Sequence, residues 1–339
     1  MRIPVAMSMT VKEAYNFLCS RGLTLLVAMM TAAFCVLWLR SMPLPAPPAF
    51  FRGIVVPSAN LWFDDRLVSL AVNLVCVAAT ALMILSLDRT FSLLQRQTSL
   101  DATYFLAMSL SMPTMLLNFN TGTLLALTVL VCLFLLYSTY GDPTATSRIF
   151  LIFLILSAMS MTQYCYLVYV PVFIVGVIQM RVFSGRALVA CLLGLVTPWW
   201  ILGAVSLAVP VRVSFPDPSL FLTAFSFQSN LKLIVTTAFV ALLLIVSWVG
   251  GIPQMLAYNA HRRAYNGVLS LISLMTLLAV FCDFANFMAY VPLLAVCASV
   301  HLGRLFSRGA TKGGNIVASL TIVILVLISL CYPARLMWL

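Results

Sequence analysis

The sequence predicts an all-α fold, a polytopic transmembrane helix bundle of about eleven spans, and three observations predict it. Of 339 residues, 63% are hydrophobic and 8% charged, with a mean hydropathy of +1.11, whereas a soluble domain is roughly 25% charged. Uncharged apolar runs recur along the whole length and leave no room for a soluble domain of ordinary size, so 1–339 reads as a single integral membrane domain. The cations behind the net charge of +11 stand singly or in pairs between these runs. That placement orients a membrane protein; nucleic-acid binding would need a continuous basic patch, and no nucleic-acid partner is expected.

A backbone in lipid must satisfy its own hydrogen bonds, and a helix of about 20 apolar residues does so across the hydrocarbon core. Gly22 to Leu39 gives 18 residues without a charge, bracketed by Arg21 and Arg40. A cleavable signal peptide has an apolar region of only about 7 to 15 residues, so this is a retained first helix with 1–21 as a cytoplasmic N-terminus. The spans expected after it are 67–87, 102–117, 122–140, 149–163, 165–180, 187–211, 233–258, 264–282, 286–303 and 314–332.

Two of these regions, 102–140 and 149–180, are uncharged stretches of 39 and 32 residues. Each fits either a hairpin of two short helices or one long tilted helix, and charge decides between them. With both as hairpins and the N-terminus inside, only six of the nineteen lysines and arginines fall outside: Arg40, Arg52, Arg66, Arg212, Lys232 and Arg335. A single crossing at 149–180 would swap every later loop and erase the asymmetry that orients such proteins. The N-terminus is expected on the cytoplasmic side.

That orientation places two sizeable loops outside, 40–66 and 212–232. The first opens with Pro43, Pro45, Pro47 and Pro48, which exclude a helix and favour an extended chain. Trp62 and Phe63 follow, expected at the lipid headgroups. The second holds Asp217 between two prolines and then "SLFLTAFSF", too short to span and expected as an interfacial helix.

Asp64 and Asp65 end the first loop in a chain with only eight acidic residues. One of them is expected to cap the helix that begins near Arg66 by accepting a free backbone N–H. Capping does not require the second. Two adjacent carboxylates beside the membrane also suit a divalent cation, Mg or Mn, or a general base, and both readings stay open. Asp283, at the end of the ninth span, is expected to snorkel to the surface or pair with an arginine.

The remaining features read as structural. All nine cysteines lie in or at the ends of apolar runs without CxxC spacing, so packing is expected. His261 and His301 stand far apart and read as interfacial. Tyr164, Tyr166 and Tyr169 are expected at the outer interface. Pro198 with Trp199 and Trp200 forms a kink that serves packing, and Asn118 and Asn120 occupy a short outer turn. No ionisable group stands near the middle of a span, which weighs against an ion-coupled transporter.

A short N-terminal segment, one helix, a long loop ending in paired acids and then "RLVSLAVNLVCVAATALMILSLDRTFSLLQRQTSLDATYFLAMSLSMPTMLLNFNTGTLLALTVLVCLFLLYS" resembles the amino-terminal module of the GT-C class of lipid-phosphate-dependent glycosyltransferases. "LVYVPVFIVGVIQMRVFSGRALVACLLGLVTPWW" is similar to the hairpin and following helix of that class. The stretch ending at Trp200 is also similar to an uncharacterised multi-pass inner-membrane family of the Bacteroidetes. The resemblances cover roughly 20–205 and rest on hydropathy order and scattered residues. They imply location in the inner membrane of a bacterium, a GT-C-like fold and transfer of a glycosyl or related group from a polyprenyl-phosphate-linked donor outside that membrane. Asp64 and Asp65 would be the paired acids, Asp217 the second-loop acid, and Arg52, Arg66, Arg212 and Lys232 the cations for the departing phosphate. The chain lacks the soluble carboxy-terminal domain of many members. A non-enzymatic envelope assembly or scaffold subunit, and a lipid or solute transporter, are the alternatives.

Overall fold

The computed structural model describes residues 5–41, 53–92, 98–207, 213, 227–256, 258–306 and 312–330. Among these the chain is all helical. The helices are α1 (Val5–Leu18), α2 (Arg21–Ser41), α3 (Arg66–Phe91), α4 (Leu100–Leu110), α5 (Pro113–Leu116), α6 (Thr121–Tyr137) and α7 (Thr146–Ser160). They continue as α8 (Val170–Gln179), α9 (Gly185–Ser206), α10 (Phe227–Leu256), α11 (Ala260–Cys282), α12 (Phe287–Phe306) and α13 (Lys312–Leu330). Three 3-10 turns, Ala59–Leu61, Tyr164–Tyr169 and Phe284–Asn286, link them.

Seven helices, α2, α3 and α9 to α13, are long and apolar enough to cross a membrane. The other expected spans are shorter apolar helices, Leu100–Leu110, Thr121–Tyr137, Thr146–Ser160 and Tyr164–Gln179. At about 1.5 Å per residue, α4 rises roughly 16 Å, about half of a hydrocarbon core. The amino-terminal segment was expected only as a cytoplasmic tail; it forms α1, which packs on α13.

Of the seven long helices α12 is the most enclosed, packing on α10, α4, α6 and α11. Small residues let it sit there: a Cβ added at Gly303 would stand 3.1 Å from Cβ of Asp101 in α4. The closest pairing elsewhere joins α7 and α9, where a Cβ at Gly194 would come within 2.6 Å of the Phe150 carbonyl oxygen.

Contacts between helix ends define two ends of the bundle. At the basic end, Ser99 donates to the Cys19 carbonyl, Tyr137 and Tyr265 donate to each other's carbonyls, and Gly141 N donates to the Met180 carbonyl at 3.1 Å. This last bond returns α8 to the end that α7 leaves, so 149–180 is a hairpin, as the charge asymmetry requires. At the opposite end, Val55 N and Val56 N donate to the Met161 carbonyl and Phe119 N donates to Ser69 Oγ. Arg21, Arg89, Arg148, Arg181, Arg186 and Arg262 all belong to the basic end.

The region 100–117 is broken by Ser111 and Met112, because Pro113 brings no N–H and starts a new helix. Freed carbonyls in an apolar bundle need donors. At the break the Ser111 hydroxyl donates to the Met108 carbonyl and Met112 N to the Ser109 carbonyl. At the end of α5, fully buried Asn73 of α3 donates to the Met115 and Leu116 carbonyls at 3.0 and 2.7 Å, and Asn120 Nδ2 to the Met115 carbonyl at 2.8 Å. Pro198 lies inside α9, which runs unbroken around it, and Trp200 faces outward instead of packing.

Candidate functional site

At the opposite end, the loop that carries the paired acids is fastened to the bundle at several points. Asn60 Oδ1 accepts from Thr121 N at 2.9 Å and so fixes the start of α6. The Trp62 indole donates to the Pro57 carbonyl, and the Trp62 and Phe63 rings meet Phe119 with centroids 5.8 and 5.6 Å away. Both rings were expected among lipid headgroups; they follow the 3-10 turn Ala59–Leu61 and lie against Phe119, with Trp62 still exposed.

Asp65 caps α3. Its backbone is extended (φ −77, ψ 122) and its Oδ1 accepts from Leu67 N at 3.0 Å, which satisfies one of the free N–H groups at the positive helix end. Asp64 is exposed beside it. Arg66 opens α3, half-buried, next to the two acids. Lys232 lies in the first turns of α10. The helix α3 packs on α6 and α4, and α10 on α12 and α11, so the two cations rise from different flanks. Arg52, Arg212 and Asp217, like the Pro43–Pro48 run, Cys331 and all of "SLFLTAFSF" except Phe227, which opens α10, lie outside the described residues. Among the described residues no three His, Cys, Asp or Glu side chains converge as a metal site.

The same end holds a polar cluster that was not expected. Asp283 Oδ2 accepts from the Tyr164 hydroxyl at 2.7 Å and the Tyr290 hydroxyl at 2.9 Å, and Oδ1 accepts from Asn286 Nδ2 at 3.0 Å. Gln163 Nε2 donates to Asn286 Oδ1 at 3.2 Å, and Asn286 Nδ2 also contacts the Tyr164 hydroxyl. Among the described residues the carboxylate is held by hydroxyl and amide donors, where an arginine was one of the expected partners. It collects three donors from the α7–α8 linker, the turn after α11 and the start of α12, because a half-buried charge needs partners when water is scarce. The tyrosines differ in exposure, and Tyr164 is half-buried. Tyr166 and Tyr169 are fully buried, Tyr169 bonded to Thr276 Oγ1 at 3.1 Å, and offer no open face for stacking a sugar.

The basic end buries more charge than the sequence suggests. Asp88 and Asp101 are 3% and 1% exposed and, with Leu130, Leu133 and Val300, line a void of about 10 Å³, the room of a single water. His301, expected at an interface, is 1% exposed; its Nε2 meets Ser273 Oγ at 3.0 Å and its Nδ1 meets buried Arg304 at 3.5 Å. His261 is exposed and bonds the Tyr265 hydroxyl at 2.6 Å. In the α6–α7 turn, hydrogen bonds from the Thr144 hydroxyl and then its N–H hold Asp142 below the usual carboxylate range. Sequence reasoning missed Asp88, Asp101, His301 and Arg304 because a charge at the edge of an apolar run has the pattern of an interfacial residue. The available signal was the scarcity of acids, since two of eight stand at facing helix ends, in "SLDRT" and "SLDAT". The eight described cysteines are free, with five of them buried.

No protein-family model, no curated protein and no solved structure matches this chain.

Proposed function

We propose that the chain is a membrane-embedded transferase that moves a glycosyl or related group from a polyprenyl-phosphate-linked donor, with its chemistry at the end that carries Asp64. The observation that carries this reading is the division of labour between adjacent acids: Asp65 is committed to the α3 cap, while Asp64 stays exposed on a loop fastened by Asn60, Trp62 and Phe63. A rigid support with an accessible carboxylate suits a general base. In the proposed step Asp64 takes the proton of an acceptor hydroxyl, and the oxygen attacks the carbon bonded to the donor phosphate. That carbon–oxygen bond breaks and the lipid phosphate leaves with the electron pair. Arg66 stands next to the acids to balance the phosphate charge, and Arg52, Arg212 and Lys232 are the further candidates. Asp64, with the second oxygen of Asp65, also fits a Mg²⁺ or Mn²⁺ whose remaining ligands are waters and phosphate oxygens; such an ion would neutralise phosphate charge. Asp217 keeps its proposed place as the second-loop acid.

The bundle then belongs in a bacterial inner membrane with the basic end and N-terminus in the cytoplasm, since lysine and arginine concentrate at cytoplasmic loops. The fold reading is GT-C-like with eleven crossings, supported by the order of the eleven apolar segments along the chain.

A second reading, a non-enzymatic assembly or scaffold subunit, is favoured by the α3 cap and by the Asp283 cluster, both of which explain acids without chemistry. One experiment separates them: complementation of a deletion strain by Asp64→Asn, with native mass spectrometry of the same protein for a bound polyprenyl phosphate. The transferase reading expects a folded variant that fails to complement, and a bound polyprenyl phosphate in the wild type. Full complementation by a folded Asp64→Asn variant would sink it, and a stoichiometric protein partner without the lipid would establish the scaffold.

A further inference from the structure

The helices α2 and α3 both lie against α4, and between them a groove of about 570 Å³ stays open to the side of the bundle. Its walls are apolar and mostly small: Leu25, Ala28 and Ala32 from α2, Ala78 and Leu85 from α3, and Leu106 from α4. Arg21 and Arg89, both exposed, stand at its mouth on the basic end. The polar hydroxyls nearby are already engaged, Thr24 with Thr103 at 2.8 Å and Ser99 with the Cys19 carbonyl at 3.1 Å. Asp88 and Asp101, on the same two helices as the groove's α3 and α4 walls, are buried against the void shared with Leu130, Leu133 and Val300.

The length of the groove is informative. From Arg21 to Ala32 along α2 is roughly 17 Å at 1.5 Å per residue, and one leaflet of a hydrocarbon core is roughly 15 Å deep. A slot one leaflet deep, apolar along its walls and doubly cationic at the headgroup level, is complementary to one amphiphile with an anionic head. A helix of another protein, or a second copy of this chain, would give the two guanidinium groups nothing to neutralise unless it also brought an acid to the same level. The volume lies within the range of small-molecule sites.

We propose that this groove binds a single anionic glycerophospholipid of the leaflet at the basic end, its phosphate held between Arg21 and Arg89 and an acyl chain lying between α2 and α3. Such a lipid fills the gap that the two helices leave and fixes α2 to the rest of the bundle. The site is at the opposite end from Asp64 and stands whether or not the chain is a transferase.

The test is native mass spectrometry of the full chain titrated with phosphatidylglycerol or with phosphatidylcholine, comparing wild type, Arg21→Gln/Arg89→Gln and Ala78→Phe. Ala78 is exposed in the groove, so a phenylalanine there fills the space without entering the core. Wild type is expected to hold one phosphatidylglycerol at least tenfold more tightly than phosphatidylcholine. The double glutamine variant is expected to lose at least fivefold of that preference, and Ala78→Phe to lose occupancy by both lipids. Equal binding of the two lipids by wild type overturns the proposal, and needs no variant to fold. So does an unchanged preference in the double variant, displacement of phosphatidylglycerol by undecaprenyl phosphate at equal concentration, or a dimer that Ala78→Phe dissociates.

Discussion

Asp65 and Asp283 are both carboxylates at helix ends, and their partners give them different work. Asp65 meets one backbone N–H and water, so its removal costs a cap: Asp65→Ala is expected to destabilise the fold by about 0.5–2 kcal/mol. Asp64→Ala, at an exposed position, should stay within about 0.5 kcal/mol. Equilibrium unfolding in mixed micelles measures both, and equal losses would show that the cap is not the distinction between them. Asp283 has three side-chain donors, and removal of one leaves a half-buried charge short of a partner. Tyr164→Phe is expected to cost about 1–3 kcal/mol. Tyr164→Phe and Tyr290→Phe together should be non-additive, because both hydroxyls serve the same oxygen. Additivity in that double-mutant cycle would show that the cluster does not act as a unit.

At the scale of elements, the break between α4 and α5 decides how 102–140 is built. The stretch 102–117 was expected as one span; Pro113 inside it starts a new helix, and Asn73, which serves the carbonyls at the end of that helix, lies about forty residues earlier. Replacing Asn73 by leucine keeps the bulk and removes both hydrogen bonds; the Met115 carbonyl keeps Asn120 Nδ2 at 2.8 Å, while the Leu116 carbonyl loses its side-chain donor at a cost of roughly 1–3 kcal/mol. Hydrogen exchange in 111–117 should rise in Asn73→Leu, while exchange in α9 stays unchanged. Protection equal to wild type would show that another donor closes the break. The first loop shows the same division. Its prolines and paired acids announced a non-helical segment ending in a cap, whereas Asn60 at the start of α6 and Trp62 against Phe119 depend on residues that meet only when α3 and α6 pack.

For the whole molecule, the separation of charge between the two ends makes a topological prediction. Single cysteines replacing Thr144 and Phe183, both exposed, in a cysteine-free background should be labelled by a membrane-impermeant maleimide from one side, and a cysteine replacing Asp64 from the other. Labelling at Thr144 and Phe183 from opposite sides would contradict the bond from Gly141 to Met180, which brings the two turns to one end. The positive-inside rule further expects the shared side to be cytoplasmic.

By itself the sequence determined that this is an all-helical membrane protein, where its apolar segments lie, that 149–180 folds back on itself, and that one of the paired acids caps a helix. Those properties follow from composition, run length, charge bias and capping chemistry, all of which act over a few neighbouring residues or sum over whole loops. Only the tertiary structure decided that Asp283 is held by two tyrosines and an asparagine, that Asp88, Asp101, His301 and Arg304 are enclosed, and that α2 and α3 stand apart over α4. Burial of a charge depends on which helix faces cover it, and those faces come from other helices, from Leu130 to Val300 in the case of Asp88 and Asp101. A groove, likewise, is a property of two helices that share a third as their support.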